Sequence, residues 1–323
     1  MANDFIKAEK VVRTSLGLLE REVALPRLVW RDSAIADARL AKGDTITVRL
    51  PAYFKANKRA LRSGDTRKKS SLNERAVPVK LTTDVYGDIP ITDEQLTLDI
   101  ESFGDQVLNP VLAGMARGLE EEIADTITGA TYAVTAEIGG GADQKQLVDA
   151  IAFARESLNK ANVPASGRTL LVGPEVDTAI ITSDLFRRFD QSGSSDTLRD
   201  ATIGSIYGFN VVTSNLVAPG DAYAFHNTAY AMTTRVPIVP AGAPWGTSYT
   251  WGGFGVRAVR VLDPDEVEDR FITDSWIGTT VVNDAGDFDD NGVWQPAEDP
   301  ADDGSDEQFI RAVKLTTADE DPS

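Results

Sequence analysis

The chain has 323 residues, no cysteine, a single histidine (His226) and a formal net charge of −18. These totals allow a large core split between two sub-domains and exclude disulfides, thiolate metal sites and a histidine-rich metal centre. No stretch approaches the roughly 18 apolar residues of a membrane helix and the charged start MANDFIKAEK is no signal peptide, so the sequence reads as soluble, cytosolic and without a membrane partner.

Taken in order, residues 1–39 form a polar lead with weak helical spacing from Phe5 to Leu19. An extended ALPRLVWRD follows, anchored at Trp30. Such a lead has little core of its own and is expected to be an arm that orders on a neighbour. Ile46, Val48 and Leu50 then alternate with polar residues in GDTITVRLPAYF, and Val77, Val79 and Leu81 answer them in RAVPVKLTT. Alternation of period two predicts two half-buried strands, and thus a long hairpin within 40–98. A ribbon of this kind has open edges and needs a partner surface.

Between the strands, KANKRALRSGDTRKK (residues 55–69) carries Lys55, Lys58, Arg59, Arg62, Arg67, Lys68 and Lys69 against one Asp. That is a local charge of +6 on a body that must then carry −24. A solvated loop, docking on another subunit and nucleic acid are the three uses open to such a tip. The acidic remainder speaks against a DNA-coating protein, whose whole face would be basic, and favours attraction between like copies, finger to body.

Ile100, Phe103, Val107, Val111, Met115, Leu119, Ile123 and Ile127 recur at three- and four-residue steps, which predicts one long helix from Ile100 to Gly129. Ser102 can cap it, and at 1.5 Å per residue it would run roughly 40 Å. Pro110 implies a bend, or a helix proper that begins there. Pro110, Gly114 and Gly118 make a second stripe without bulk, against which backbone or a sheet can lie.

Gly139 to Gly141 mark a hinge. QLVDAIAFARESLNKA (146–161) is an amphipathic helix stopped at Val163-Pro164. RTLLVG (168–173) is an all-apolar strand of the doubly buried kind, and Pro174 opens a helix, PEVDTAIITSDLF. IGSIYGFNVVTSNLV reads as a strand, DAYAF (221–225) as another, and HNTAYAMTTR as a short helix or extended turn. Residues 241–253 read as a loop or linker. Two long strands (250–262 and 267–282), an acidic interruption (283–308) and a last strand, EQFIRAVKLT, complete the chain.

This order of arm, long hairpin, long helix, central α/β unit and β-rich return resembles the major capsid proteins of tailed bacteriophages with the Hong Kong 97-type fold. The resemblance spans nearly the whole chain. Its most specific fragments are DIPITDEQLTLDI leading into the long helix, and RTLLVGPEVDTAII followed by Gly204, Ile206, Gly208, Phe209, Val211, Ser214 and Asn215 in IGSIYGFNVVTSN. It implies an α+β fold with an N-terminal arm (1–39) and an extended hairpin loop (40–98). A peripheral domain with the spine helix would take 99–141 and 246–323, with 283–308 as an acidic insertion, and an axial domain 142–245. It implies no enzymatic activity, but a coat subunit assembling through pentamers and hexamers into an icosahedral shell around double-stranded DNA. The partners it implies are many copies of the chain, a separate scaffolding protein, a portal, and DNA touched non-specifically. No leader long enough to supply the scaffold in cis is seen. The cationic residues of 55–69 become candidate intersubunit contacts.

DFDDNGVWQPAE also fits the calcium-loop pattern, with Asp287, Asp289, Asn291 and Glu298 as candidate ligands and Gly292 at the turn. Pro296 and Trp294 depart from it and neither flank is a convincing helix, so a solvated acidic insertion is the plain alternative, and no cofactor is required. His226 reads as a strand-end hydrogen-bonding residue, and Asp263, Asp265 and Glu266 as a loop before they read as paired catalytic acids. Readings in other classes are a secreted calcium-binding β-rich adhesion module and a carboxylate-dependent hydrolase. A cellular shell-forming nanocompartment is the near neighbour within the fold.

Overall fold

The computed structural model describes residues 24–31, 44–50, 58–62, 66, 75–91, 109–138, 144–183, 204–251, 254–264, 268–296 and 307–317. The proposed hinge glycines 139–141 and the first part of the long helix, 100–108, lie outside these residues.

Strand β1 is Trp30–Arg31, and β2 (Thr45–Leu50) pairs with β3 (Arg75–Lys80) in the expected antiparallel ribbon, Thr45 opposite Lys80 and Leu50 opposite Arg75. Strand β4 (Thr83–Ile91) follows at once, and the long helix α1 runs Asn109–Thr128 with Pro110 in its first turn. Next come β5 (Thr135–Ile138), helix α2 (Gln144–Lys160), β6 (Arg168–Val172) and helix α3 (Pro174–Thr182). The chain continues through β7 (Ser205–Ile206), β8 (Phe209–Thr213), β9 (Asp221–His226) and β10 (Tyr230–Arg235). Strands β11 (Trp245–Trp251), β12 (Phe254–Asp263), β13 (Glu268–Val281), β14 (Asp284–Phe288), β15 (Trp294–Pro296), β16 (Glu307–Gln308) and β17 (Ala312–Thr317) complete it.

Two sheets dominate. The first has the order β1-β10-β13-β12-β11, with β4 on the other side of β13; the second runs β5-β17-β9-β6-β8-β7. Helix α1 lies on the first sheet: Met115, Leu119, Ile123 and Ile127 are buried with Tyr230, Met232, Phe271 and Ile277. Burying four such side chains contributes roughly 1.5–3 kcal/mol each, which is what holds so long a helix to the sheet. The small-residue stripe is used in part. A Cβ at Gly118 would fall 2.8 Å from Val85 of β4, whereas at Gly114 it would meet nothing. Helix α2 covers the second sheet with Leu147, Ile151, Ala154 and Leu158, and ends where Asn162 takes a left-handed backbone (φ 54°).

Several readings are corrected. Residues 24–31 do not wait for a neighbour: Leu25 and Val29 enter the main core, Trp30 pairs with Ala231, and Glu120 of α1 accepts the Ala24 amide at 2.6 Å. HNTAYAMTTR turns only at its start, 226–229, and its remainder is strand β10, because Tyr230–Arg235 finds hydrogen-bonding partners in Tyr230↔Val281 to Arg235↔Trp276. The presumed linker 241–253 contains β11, paired with β12 from Trp245↔Arg260 to Trp251↔Phe254. The single strand through 203–217 is a tight hairpin instead. Tyr207 (φ 47°) and Gly208 (φ 83°) form its two-residue turn, both left-handed, the geometry whose twist matches the strands it joins. The ribbon β2–β3 finds its partner surface at its root within its own chain, where Val48 and Val79 close on Ala231 and Val282. Sheet membership also cuts across the proposed division: β5 and β17 belong to the second sheet and β10 to the first.

Candidate functional site

The hairpin is the natural starting point, because its root is fixed and its tip is not covered. At the root, Trp30 Nε1 donates to the Arg49 carbonyl at 2.9 Å and the Leu81 amide donates to the Asp44 carbonyl at 2.7 Å. The Thr82 amide reaches the Ile277 carbonyl at 3.2 Å. The crossing is made at Gly278, where an added Cβ would collide with the Lys80 carbonyl oxygen and stand 2.8 Å from its carbon. Only glycine lets the two backbones approach this closely. At the far end Lys58, Arg59, Ala60, Leu61 and Arg62 are all exposed, Leu61 at 94 %. Lys55, Arg67, Lys68 and Lys69 lie outside the described residues.

The first sheet has two unlike faces, as alternation dictates. Phe271 and Ile277 of β13 turn toward α1, and Arg270, Ile272, Asp274, Trp276 and Gly278 turn away. On the outward side Arg257, Asp274 and Tyr86 stand directly opposite one another across β12, β13 and β4, and Trp276 stands opposite Asp84. Arg257 grips Asp274 with two hydrogen bonds, one of them Nε to Oδ1 at 2.8 Å, and donates to the Ile238 carbonyl at 2.7 Å. Arg270 pairs with Asp88 in the same bidentate way and approaches Asp263 at 3.7 Å. Asp263, one of the acids weighed for catalysis, is thus an ion-pair partner at a strand end. Asp265 and Glu266 lie outside the described residues. This face went unread in the sequence, although Asp84, Tyr86 and Asp88 at two-residue spacing in TDVYGDIPI are the signal of an outward strand face.

The described part of the acidic segment that carries the loop, residues 284–296, is a β-ribbon. β14 pairs with β15 from Gly286↔Pro296 to Phe288↔Trp294, and Trp294 is buried while its ring meets Phe288 edge-on at 5.0 Å. Asp289 closes the turn between them. Its Oδ1 accepts the Asn291 and Val293 amides at 3.0 and 2.8 Å, and its Oδ2 the Gln295 amide group at 3.2 Å. The Val293 amide, with help from Asn291 and Gln295, holds this carboxyl below its ordinary pKa. Asp287 Oδ1 accepts the next amide, from Phe288, at 2.8 Å, and Asn291 is exposed. Glu298 lies outside the described residues, among which no cluster of three acidic or histidine side chains could hold a metal ion.

His226 sits where the two sheets meet, at the end of β9 just before the chain turns into β10. Thr228 donates its amide to His226 Nδ1 at 3.2 Å, and its hydroxyl lies 2.8 Å from the same atom. That hydroxyl accepts from Arg311 Nη1 at 2.6 Å, and Arg311 in turn grips Asp284. The Thr228 amide can only donate, so Nδ1 is an acceptor and the ring is neutral. Burial, then the charges of Arg311 and Arg168, push its pKa below the usual histidine value, against a backbone contact at Ser166 that pulls it up. A depressed pKa stabilises the fold above the unfolded value near 6.5 and loses that stabilisation as pH falls through the folded value. Between those two values stability should fall by up to about 1.4 kcal/mol per pH unit. A melting series from pH 7.5 to 5 should show this fall, and His226→Gln should flatten it; equal slopes in both proteins would refute the assignment.

A second network opposes acidification lower down. Asp221 accepts from Thr316 at 2.7 Å and Tyr223 at 3.0 Å and pairs with Lys314 at 3.1 Å. Burial alone would raise its pKa, but these partners outweigh burial and hold it below the ordinary carboxylate range. A cleft of about 400 Å³ lies elsewhere, lined by Arg27, Arg168, Asn210 and Asn227 among others, with no carboxylate among its described lining residues. No described helix is long and apolar enough to cross a membrane.

Comparison with known proteins bears on this geometry directly. A family model described as phage capsid protein matches residues 76–294. The structure is similar to that of Mycobacterium phage Che8, at 20 % identity and TM-score 0.58 over 91 % of this chain and 90 % of that one. It is similar to the capsid of cyanophage P-SCSP1u, at 9 % identity and TM-score 0.54 over 86 % and 85 % of the two chains. A virus-like particle from Pyrococcus furiosus also matches, at 11 % identity and TM-score 0.50 over 95 % and 98 %. No curated protein sequence matches the chain significantly.

Proposed function

This chain belongs to the phage capsid protein family, and on that basis we propose how it builds the shell of which it is the major subunit. The fold is the Hong Kong 97-type capsid fold and the role is structural. In our reading, subunits join through pentamers and hexamers, and the closed shell encloses double-stranded DNA that it touches without sequence preference. Head-to-tail contacts between unlike surfaces of identical copies close into rings, and rings into shells. The match over residues 76–294 carries the proposal, since it takes in the hairpin's second strand, the spine helix and every strand of the two large sheets but β1 and β17.

The exposed cationic tip, Lys58, Arg59 and Arg62, is the part we assign to contact in trans, with Lys55, Arg67, Lys68 and Lys69 of the same segment. Its root is satisfied in cis, and Lys58, Leu61 and Arg62 are exposed at the tip. A separate scaffolding protein and a portal complete the set of partners, and synthesis takes place in the host bacterial cytoplasm. The proposal needs no metal or cofactor; a calcium ion at Asp287, Asp289, Asn291 and Glu298 would have to displace the amides that Asp289 already holds.

The particle of Pyrococcus furiosus marks a second use of this fold, in a shell that carries no phage name. The family match favours the phage reading. Expression of the chain with and without its phage neighbours, followed by negative-stain microscopy and light scattering, should reveal closed particles of uniform size. A stable compact monomer at high concentration under both conditions would overturn the proposal.

A further inference from the structure

The second sheet carries a polar row at one end. Thr169 of β6 stands opposite Asn210 of β8, and Asn210 stands opposite Ser205 of β7. The rows that follow are apolar, Leu170 beside Val211 and Leu171 beside Val212. Residues directly across a strand pair share a face, so the two hydroxyls and the carboxamide between them point the same way. All three line the cleft of about 400 Å³, whose wall also takes in Arg27 of the arm and Asn227, just past the end of β9.

The cleft is charged with one sign. No carboxylate is among its described lining residues, and Arg27 is exposed there. Arg168, next to Thr169, turns to the opposite face and is only 5 % exposed. Its Nε donates to the Pro164 carbonyl at 2.9 Å, and its Nη2 to the Val163 carbonyl at 2.6 Å and to Asn159 Oδ1 at 2.8 Å. All three acceptors are neutral, and among the described residues no carboxylate pairs with this guanidinium. Burial first, and then the Arg155 charge, lower its pKa. A buried cation thus stands behind the polar row and favours an anion in front of it. The cleft offers hydroxyl, carboxamide and guanidinium donors, and one group of the other kind. Asn227 Oδ1 is buried with no hydrogen-bond partner and needs a donor.

We propose that this cleft binds inorganic phosphate. The charged oxygens of the ion accept from Arg27 and from the Thr169, Ser205 and Asn210 side chains, and the hydroxyl it keeps at neutral pH donates to Asn227 Oδ1. That last contact sets the choice of anion. Sulfate and the phosphodiester of DNA have no hydroxyl to give, and a phosphate monoester, with a second pKa of about 6, has largely lost its own. Phosphate held in this way links the arm, whose Trp30–Arg31 belongs to the first sheet, to the end of the second. The subunit should therefore melt at a higher temperature with phosphate bound. The site belongs to the single subunit and stands apart from the shell reading.

Calorimetric titration of the unassembled full chain, in chloride buffer at pH 7.5, tests the site. Sodium phosphate should saturate a single site. It should bind about ten-fold or more tightly than sodium sulfate at equal ionic strength, the worth of one hydrogen bond to a charged group. Adenosine monophosphate and a short DNA duplex without terminal phosphates should not compete. Asn227→Ala should bring phosphate down to the level of sulfate, and Arg27→Gln should weaken both. Asn210→Asp, at an exposed position, puts a carboxylate into the row and should abolish binding; it carries the test should Arg27→Gln fail to fold. No saturable heat with phosphate, equal binding of sulfate by the unsubstituted chain, or an Arg27→Gln variant that folds and binds as before would overturn the site. Binding of the monophosphate or the duplex in preference to phosphate would overturn it too, because the cleft would then take an esterified group.

Discussion

Alanine at Arg59, Arg62, Arg67 and Lys68 should leave a folded subunit and cut particle yield by ten-fold or more. The reasoning is one of scale. Arg59 and Arg62 are exposed on the tip, so their loss removes no core contact. Exposed ion pairs contribute at most about 1 kcal/mol each. Removing four cations from one contact therefore weakens it by roughly 2–3 kcal/mol, on the order of 100-fold in affinity. A closed shell repeats that contact at every subunit, so a modest local loss becomes a large global one. Raising salt should mimic the substitution in the unmodified chain, since exposed charges are screened within about 10 Å at 0.1 M. Circular dichroism and thermal melting of the monomer should be unchanged. Normal particle numbers, counted by microscopy after gradient separation, would show that the tip is an ordinary solvated loop.

Gly278→Ala should be the most damaging single substitution to the subunit itself. The added Cβ would drive into the Lys80 carbonyl and lie 3.2 Å from the Leu81 Cα, both of them backbone. No rotamer change relieves such a clash; β13 or the hairpin root has to move. We expect a loss of about 3 kcal/mol, at the upper end of what overpacking costs. For a chain of this size that lowers the melting temperature by roughly 4–5 °C. The damage should also be local. The Thr82-to-Ile277 and Leu81-to-Asp44 hydrogen bonds hold the root, so protease should reach the 44–82 segment faster than in the parent protein. An unchanged melting temperature would mean that the crossing is looser than the structure has it.

What was legible in the sequence was whatever carries its own period. Helix α2 and the buried face of α1 could be read from spacing alone, because a helix closes its hydrogen bonds within itself. Arg168–Val172 was legible from its apolar run Leu170–Val172, and the hairpin from the alternation of Ile46 and Val48 against Val77 and Val79. What failed were strands whose partners are distant or whose composition is that of a loop. Tyr230–Arg235 becomes a strand only because residues 276–281 lie beside it, and Trp245–Trp251, with its glycine and proline surroundings, only because β12 folds back on it. Asp287–Glu298 looked like calcium chemistry because a tight acidic hairpin and a metal loop use the same Asp, Asn and Gly for turning. The tip charges were visible at once. The outward face of the first sheet was not, since Asp84, Tyr86 and Trp276 come together only through the register of β4 on β13.

The place of β17 has a consequence for when the subunit can be made. It lies inside the second sheet, antiparallel to β9 on one side and parallel to β5 on the other. Until the ribosome has released Ala312–Thr317, β5 has no neighbour and β9 has one open edge. A nascent chain therefore cannot complete this layer, however long it waits during translation. Recruitment into a growing particle of chains that have not yet delivered β17 is thereby discouraged by the order of synthesis.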